Sequence, residues 1–245
     1  MKNLIYIVAI DQLNSKVSNN EYSKYSIDSW EKYCTKYGID LLVKTDGDPN
    51  FTYPIWNKEL IYRYGKEYDK IGIVDSDTIV SPNAPNIFDL FDADHFCGVN
   101  DLCDLNWLFD SIDKRQHLFP DINIDINQYI NAGVLFFGNK YLSIFEELYW
   151  FYLENSMEID NLKTGGKEQT LLNFIIQKNK VPVTLLSPEW NLLSIHKKNM
   201  FTYNWQLNID QTPYFMKYAY IWHFTGFPIE DRVNVMKQVS EYINQ

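Results

Sequence analysis

Short unbroken apolar runs alternate along the chain with stretches whose apolar positions recur every three or four residues, the pattern of strands separated by helices. Leu4 to Ile10 is the first such run and stops at Asp11, as a strand buried on both faces would. From Glu21 onwards Tyr22, Tyr25, Trp30, Tyr33, Cys34 and Tyr37 share one helical face, and Gly38 stands at the C′ position that closes a helix. Ile39 to Lys44 reads as a second strand, which completes a βαβ unit with an expected right-handed crossover. Pro54 opens a helix carrying Trp56, Leu60, Ile61 and Tyr64, and Gly65 leads from it into a third run, Lys70 to Val74.

Beyond that run come a loop with Pro82 and Pro85, a helical turn at Asn86 to Phe91, and a strand near His95 to Val99. Asp101 to Gln128 is the least regular stretch and reads as a long insertion or flap, a kind of loop that tends to be functional. Tyr129 to Phe137 regains strand character, and a helix over Lys140 to Glu154 carries Ile144, Phe145, Leu148, Tyr149 and Tyr152 on one face. A further helix starts at Glu168-Gln169 and runs through Leu171, Leu172 and Ile175. Val181 to Leu186 and Tyr218 to Trp222 are strands, Ser187 to Asn191 a turn, Met200 to Tyr214 irregular, and Pro228 begins a terminal helix. No repeat or linker divides the chain, so residues 1–245 are expected to form one domain.

Lys and Arg number 22 against 32 Asp and Glu, a formal charge of −10. Such a surface disfavours nucleic acid and anionic membranes, and a polyphosphate ligand would need a local cation. Cys34, Cys97 and Cys103 are odd in number and lack C-x-x-C spacing, which argues against a disulfide framework or a zinc site and leaves a reducing, cytoplasmic setting as the expectation. Leu4 to Ile10 is too short for a signal peptide, and no run approaches the roughly 18 apolar residues of a membrane span. Aromatic residues make up 16% of the chain; most should fill the core, with some rings left to serve as sugar platforms.

The third apolar run ends in Asp75-Ser76-Asp77. Carboxylates at i and i+2 of an extended chain point the same way, and two like charges held together call for a hard divalent cation. Open α/β sheets bind ligands at this end of their strands. A lone D-x-D also serves as an ordinary Asp-rich turn, so the rest of the chain has to decide. Three further signals follow it in order: Asn131-Ala132-Gly133-Val134, then Gly165-Gly166-Lys167-Glu168-Gln169 at a helix start, then Trp222-His223-Phe224-Thr225-Gly226.

Together these four resemble the GT-A-fold nucleotide-sugar glycosyltransferases, most closely the glycogenin-like family 8 group and its relatives, over nearly the whole chain. The resemblance implies an α/β fold with a Rossmann-like, mixed but mostly parallel sheet flanked by helices. Residues 1–100 would form its nucleotide-binding half and 101–245 its sugar and acceptor half. It implies a metal site of Asp75, Asp77 and His223, with Asp75 shared with the nucleotide; imidazole with carboxylates suits Mn²⁺ better than Mg²⁺. Ala9, Ile10, Asp11 and Ser76 would meet a nucleotide-sugar donor, expected to be UDP-linked, with Lys58, Ala132, Gly133 and Gly226 also lining its site.

Asn131, Glu168 and Gln169 would act on the sugar, although glutamate stands where the family has aspartate. Phe227 to Arg232 lacks the family's usual lysine after the histidine; Arg232 or Lys58 could take its place. Trp190-Asn191 resembles a turn on the acceptor side, though a buried tryptophan explains it as well. The implied activity is transfer of a hexosyl unit to a hydroxyl of a saccharide or glycoconjugate. The resemblance leans towards retention of configuration; an inverting enzyme would need a base, for which Asp101, Asp104 and Glu189 are the loop carboxylates. Two alternatives stand beside this one: a catalytically weak or inactive nucleotide-sugar or carbohydrate binder of the same fold, and a haloacid-dehalogenase-type phosphatase, which also ends a strand in D-x-D.

Overall fold

In a computed structural model, residues 1–11, 19–162, 165–193 and 219–244 are described. The irregular stretch expected at Met200 to Tyr214 lies outside them, as does the start of the expected last strand at Tyr218. The first apolar run forms β1 (Asn3–Val8), which pairs in parallel with β2 (Asp40–Lys44) on one side and β3 (Lys70–Asp75) on the other. Between β1 and β2 runs α1 (Asn19–Tyr37), closed by Gly38 at φ +66°. Pro54 opens a 3₁₀ turn, Pro54–Leu60, before a single turn of α-helix, α2 (Ile61–Tyr64); a continuous helix was expected there.

The next elements are β4 (Thr78–Val80), β5 (Phe96–Asn100), α3 (Leu105–Asp113), β6 (Ile130–Gly138) and α4 (Leu142–Asn161). They are followed by α5 (Lys167–Lys178), β7 (Val183–Leu185), β8 (Ile221–His223) and α6 (Ile229–Ile243). Among the described residues the main sheet has six strands in the order β2-β1-β3-β6-β5-β7. Only β6 runs against the rest, pairing antiparallel with both β3 and β5. Residues before and after position 100 therefore share one sheet.

Alternation along the strands sorts side chains to two faces. Leu4, Tyr6, Ile71, Ile73, Leu135 and Phe137 face α4 and α5, while Ile5, Ile7, Val74, Val134 and Phe136 face α1. All nine residues of β6 are buried, as a central strand covered on both faces requires. Phe137 stacks on Phe96 and Phe145 at ring separations of 5.1 and 4.8 Å; each such burial contributes roughly 1.5–3 kcal/mol. Gly72 makes this packing possible on the other face, because a Cβ there would come within 2.6 Å of Ile5 and 2.8 Å of Phe136.

Two further regions depart from the sequence reading. The stretch Asp101 to Gln128 is not irregular throughout: it contains α3, capped by Asp104, whose carboxylate accepts from the Trp107 N–H at 3.0 Å. Nine residues of mixed polarity gave too short a period to register as a helix. β4 also escaped the reading, since three residues carry no pattern; it pairs antiparallel with β8 and sets Thr78 opposite His223. Among the described residues no helix is long and apolar enough to cross a membrane.

Candidate active site

The DSD segment does not continue as a strand. β3 ends at Asp75, and Ser76-Asp77 turn into β4. Thr78 fastens that turn by donating its hydroxyl hydrogen to the Asp75 carbonyl at 2.7 Å and accepting from Trp30 Nε1 at 3.0 Å. The carboxylates thus converge through a turn rather than through the pleat of an extended chain. On the far side, the His223 N–H donates to the Leu192 carbonyl (3.0 Å) and the Phe224 N–H to the Asp77 carbonyl (2.8 Å), so backbone bonds fix the imidazole beside the turn.

The result is a cluster in which one ligand atom each from Asp75, Asp77 and His223 lies within 4.8 Å of the others. His223 Nε2 is 3.2 Å from Asp77 Oδ1 and 3.7 Å from Asp75 Oδ2. Gly133 leaves the space they occupy: the register that sets Val74 opposite Val134 brings Asp75 alongside it, and a Cβ on Gly133 would sit 2.2 Å from His223 Cε1 and 2.7 Å from Asp75 Oδ2. Two carboxylates and an imidazole in one cradle are a donor set that fits Mn²⁺ or Mg²⁺.

Two cations flank the cluster. Arg232, on α6, places Nη1 3.1 Å from Asp77 Oδ2 and lies over the Tyr22 ring. Lys58 is only 3% exposed, and its ammonium contacts Asp75 Oδ1 (3.0 Å), Glu168 Oε2 (3.1 Å) and the Ala132 carbonyl (3.1 Å), one acceptor for each N–H. Burial pushes the Glu168 carboxyl up to about 7, with Lys58 pulling it down and Asp75 pushing it up. Next to Lys58 in sequence, Glu59 is fully buried, and neither of its oxygens has a hydrogen-bond partner among the described residues; burial, then the charge of Glu168, raises its carboxyl well above the usual range.

Opposite the cluster stands a wall of buried amides where the start of β6 meets the first turns of α5. Gln169 Oε1 accepts from Asn131 Nδ2 (2.9 Å) and the Ala132 N–H (3.1 Å), and its Nε2 donates to Asp101 Oδ2 at 3.0 Å. Asn173 brackets Ile130, accepting from its N–H and donating to its carbonyl, where the β5–β6 register shifts. Asn131 also donates to Asp101 (3.1 Å) and accepts from the Gly133 N–H and Asn191 Nδ2, both at 2.9 Å. All four of its hydrogen-bonding positions are therefore taken by protein groups.

These parts line one cleft. A cavity of about 580 Å³ is bordered by Val8, Ile10, Tyr22, Ser76, Asp77 and Arg232, and one of about 420 Å³ by Asp101, Trp107, Asn131, Gly133, Gln169 and Gly226. Lys58, Asp75, Gly166, Lys167 and Thr225 border both. Ala132, Glu168 and His223 face the second, whereas Ala9 is buried with its N–H on the Lys44 carbonyl, and Asp11 is exposed; neither lines the cleft. Of the loop carboxylates, Asp101 and Asp104 border the second cavity, while Glu189 borders neither, its carboxyl held below the usual range by the Ser187 hydroxyl. Tyr22 and Trp107 were legible only as core or loop residues, because position in the cleft depends on helix placement.

No protein-family model matches the sequence, and no curated protein matches it. Solved structures do share its fold. A glycosyltransferase involved in the glycosylation of the major capsid of PBCV-1 gives a TM-score of 0.62 at 14% identity, covering 97% of this chain and 100% of that one. The bifunctional glycosyltransferase WbbM gives 0.65 at 18% identity, over 99% of this chain and 49% of that one. The galactosyltransferase LgtC, in complex with donor and acceptor sugar analogs, gives 0.54 at 12% identity, over 99% and 96%. The mixed, mostly parallel Rossmann-like sheet flanked by helices is that of the GT-A-type glycosyltransferases.

Proposed function

We propose that this protein is a metal-dependent hexosyltransferase, which moves a hexosyl unit from a nucleotide sugar, with UDP as its nucleotide, to a hydroxyl of a saccharide or glycoconjugate. The observation that carries this reading is the single cleft that holds both the Asp75–Asp77–His223 cluster and the amide wall. Asp75, Asp77 and His223 hold Mn²⁺ or Mg²⁺, which supplies Lewis-acid stabilisation of the diphosphate leaving group when bound. Ile10, Tyr22 and Ser76 border the nucleotide side. Arg232, Lys167 and Lys58 bring positive charge to the cleft of an otherwise acidic chain.

Lys58 ties Asp75 to Glu168 and keeps the carboxyl of Glu168 at the boundary between the metal and sugar sides. Ala132, Gly133 and Gly226 admit the sugar closely, while Gln169 and Asn131 give that wall a fixed shape. Retention would draw on Glu168, whose Oε1 is without a hydrogen-bond partner among the described residues; inversion would draw on Asp101 or Asp104 as base.

A second reading, a nucleotide-sugar binder without turnover, is favoured by one observation: the amides of Asn131 and Gln169 are bonded to protein groups at both ends. Incubation with a panel of nucleotide sugars, with and without Mn²⁺, followed by NMR of the released or transferred sugar, separates the readings. Mn²⁺-dependent turnover of a UDP-sugar is expected, and its anomeric signal reports the stereochemistry. UDP binding without turnover of any donor would replace the proposal with the binder, and hydrolysis of simple phosphate esters would replace it with a phosphatase.

A further inference from the structure

The Nδ1 atom of His223 lies 2.9 Å from Asn191 Oδ1, and the same amide donates to Asn131. A carboxamide can be turned end for end without changing its shape, so the distances alone leave its polarity open. Two groups of fixed character close that freedom. The carboxylate oxygen of Asp101 accepts from Asn131 and from Gln169, and the Gly133 N–H can only donate, so Asn131 must present its NH₂ to Asp101 and its oxygen to Gly133. That oxygen in turn requires a donor from Asn191, which leaves the Asn191 oxygen facing the imidazole. An amide oxygen only accepts, so Nδ1 carries a hydrogen, and in the neutral ring the Nε2 lone pair then faces Asp75 and Asp77.

Asn191 and His223 are 0% and 1% exposed, and no bulk water competes for these bonds. The backbone holds the pair in register: the Leu192 N–H donates to the Ile221 carbonyl and the His223 N–H to the Leu192 carbonyl. The Pro188–Trp190 turn therefore ends in a residue directed at the histidine.

We propose that Asn191 is a positioning residue: through the string Asp101–Asn131–Asn191–His223 it fixes the imidazole in its Nδ1–H form and aims Nε2 at the two aspartates. The proposal rests on the reading of His223 as a metal ligand. Ligating histidines commonly depend on such an outer partner, whose loss weakens metal binding by about 10–100-fold.

The test has two parts, both on the full chain. Two-bond ¹⁵N–¹H NMR of the imidazoles without metal, recorded where the ¹⁵N shifts of His223 itself report a neutral ring, reads its tautomer, assigned by its disappearance in His223→Gln. The Nδ1–H form is expected in the wild type; an Nε2–H ring would overturn the proposal without any variant needing to fold. Mn²⁺ titration followed by EPR should then show binding weakened about tenfold or more in Asn191→Leu, which removes the acceptor for Nδ1. Unchanged binding in Asn191→Leu beside a wild type that binds Mn²⁺ would refute the role of Asn191. A wild type that binds no Mn²⁺ would refute the metal reading itself, and the tautomer experiment would still decide whether the string orients the ring.

Discussion

On one side of the cleft, Asp75 and Asp77 bring two negative charges beside an imidazole, and Lys58 and Arg232 balance them only from the flanks. On the other side, Asn131, Gln169 and Asn173 form a buried amide network whose donors and acceptors answer one another. The first wall holds like charges at close quarters and, in the proposed reading, would be completed by a cation; the second is complete in itself and sets a shape. Loss of charge should therefore damage the metal side most, while altered shape or polarity should be felt where the two walls touch, at Gly133, Lys58 and Asn191.

The largest effect is expected for Asp77→Ala. Mn²⁺-dependent turnover should fall by about a thousandfold or more, roughly 4 kcal/mol, because an open cleft cannot otherwise hold the metal against the leaving group. Steady-state assays with saturating UDP-sugar measure this, with circular dichroism to verify folding; turnover within tenfold of wild type would remove Asp77 from the metal site. Next comes Lys58→Met, which strands Glu168 and Asp75 without their shared cation. It should cost about 3 kcal/mol in urea unfolding at pH 7.5. The loss should shrink near pH 5, where Glu168, already raised by burial, takes up a proton instead.

Gly133→Ala tests the contact between the walls. Its methyl would meet His223 and Asp75, so Mn²⁺ affinity should drop about tenfold with the amide network, read by its NMR shifts, undisturbed. The smallest effect is assigned to Glu59→Gln. Because the folded chain holds the Glu59 proton more tightly than the unfolded chain does, the stability this provides is full below the ordinary carboxylate pKa and lost as pH rises through the folded value. The variant should thus match wild type near pH 4 and exceed it by about 1 kcal/mol at pH 7.5. Equal melting curves across that range would mean that Glu59 titrates normally.

Much of this arrangement was legible from local pattern. The run ending at Asp75, the αL glycine after α1 and the apolar face of α4 follow from residue type and spacing over five or more positions. The ordered motifs also pointed to the residues that meet in the cleft. What spacing could not supply was anything decided by three residues or by tertiary pairing: β4, the turn that converges the aspartates, and the role of Asn191. Lys58 shows the same limit: the resemblance set it at the donor site, but its contacts with Asp75, Ala132 and Glu168 exist only once the sheet brings those residues around it.

The most direct test of the metal corner is an EPR titration of the chain with Mn²⁺ in the presence and absence of UDP, comparing wild type with Asp77→Ala and His223→Gln. One bound Mn²⁺ per chain, tightened by UDP and lost in both variants, is predicted. Equal Mn²⁺ uptake by wild type and variants, or uptake indifferent to UDP, would contradict it.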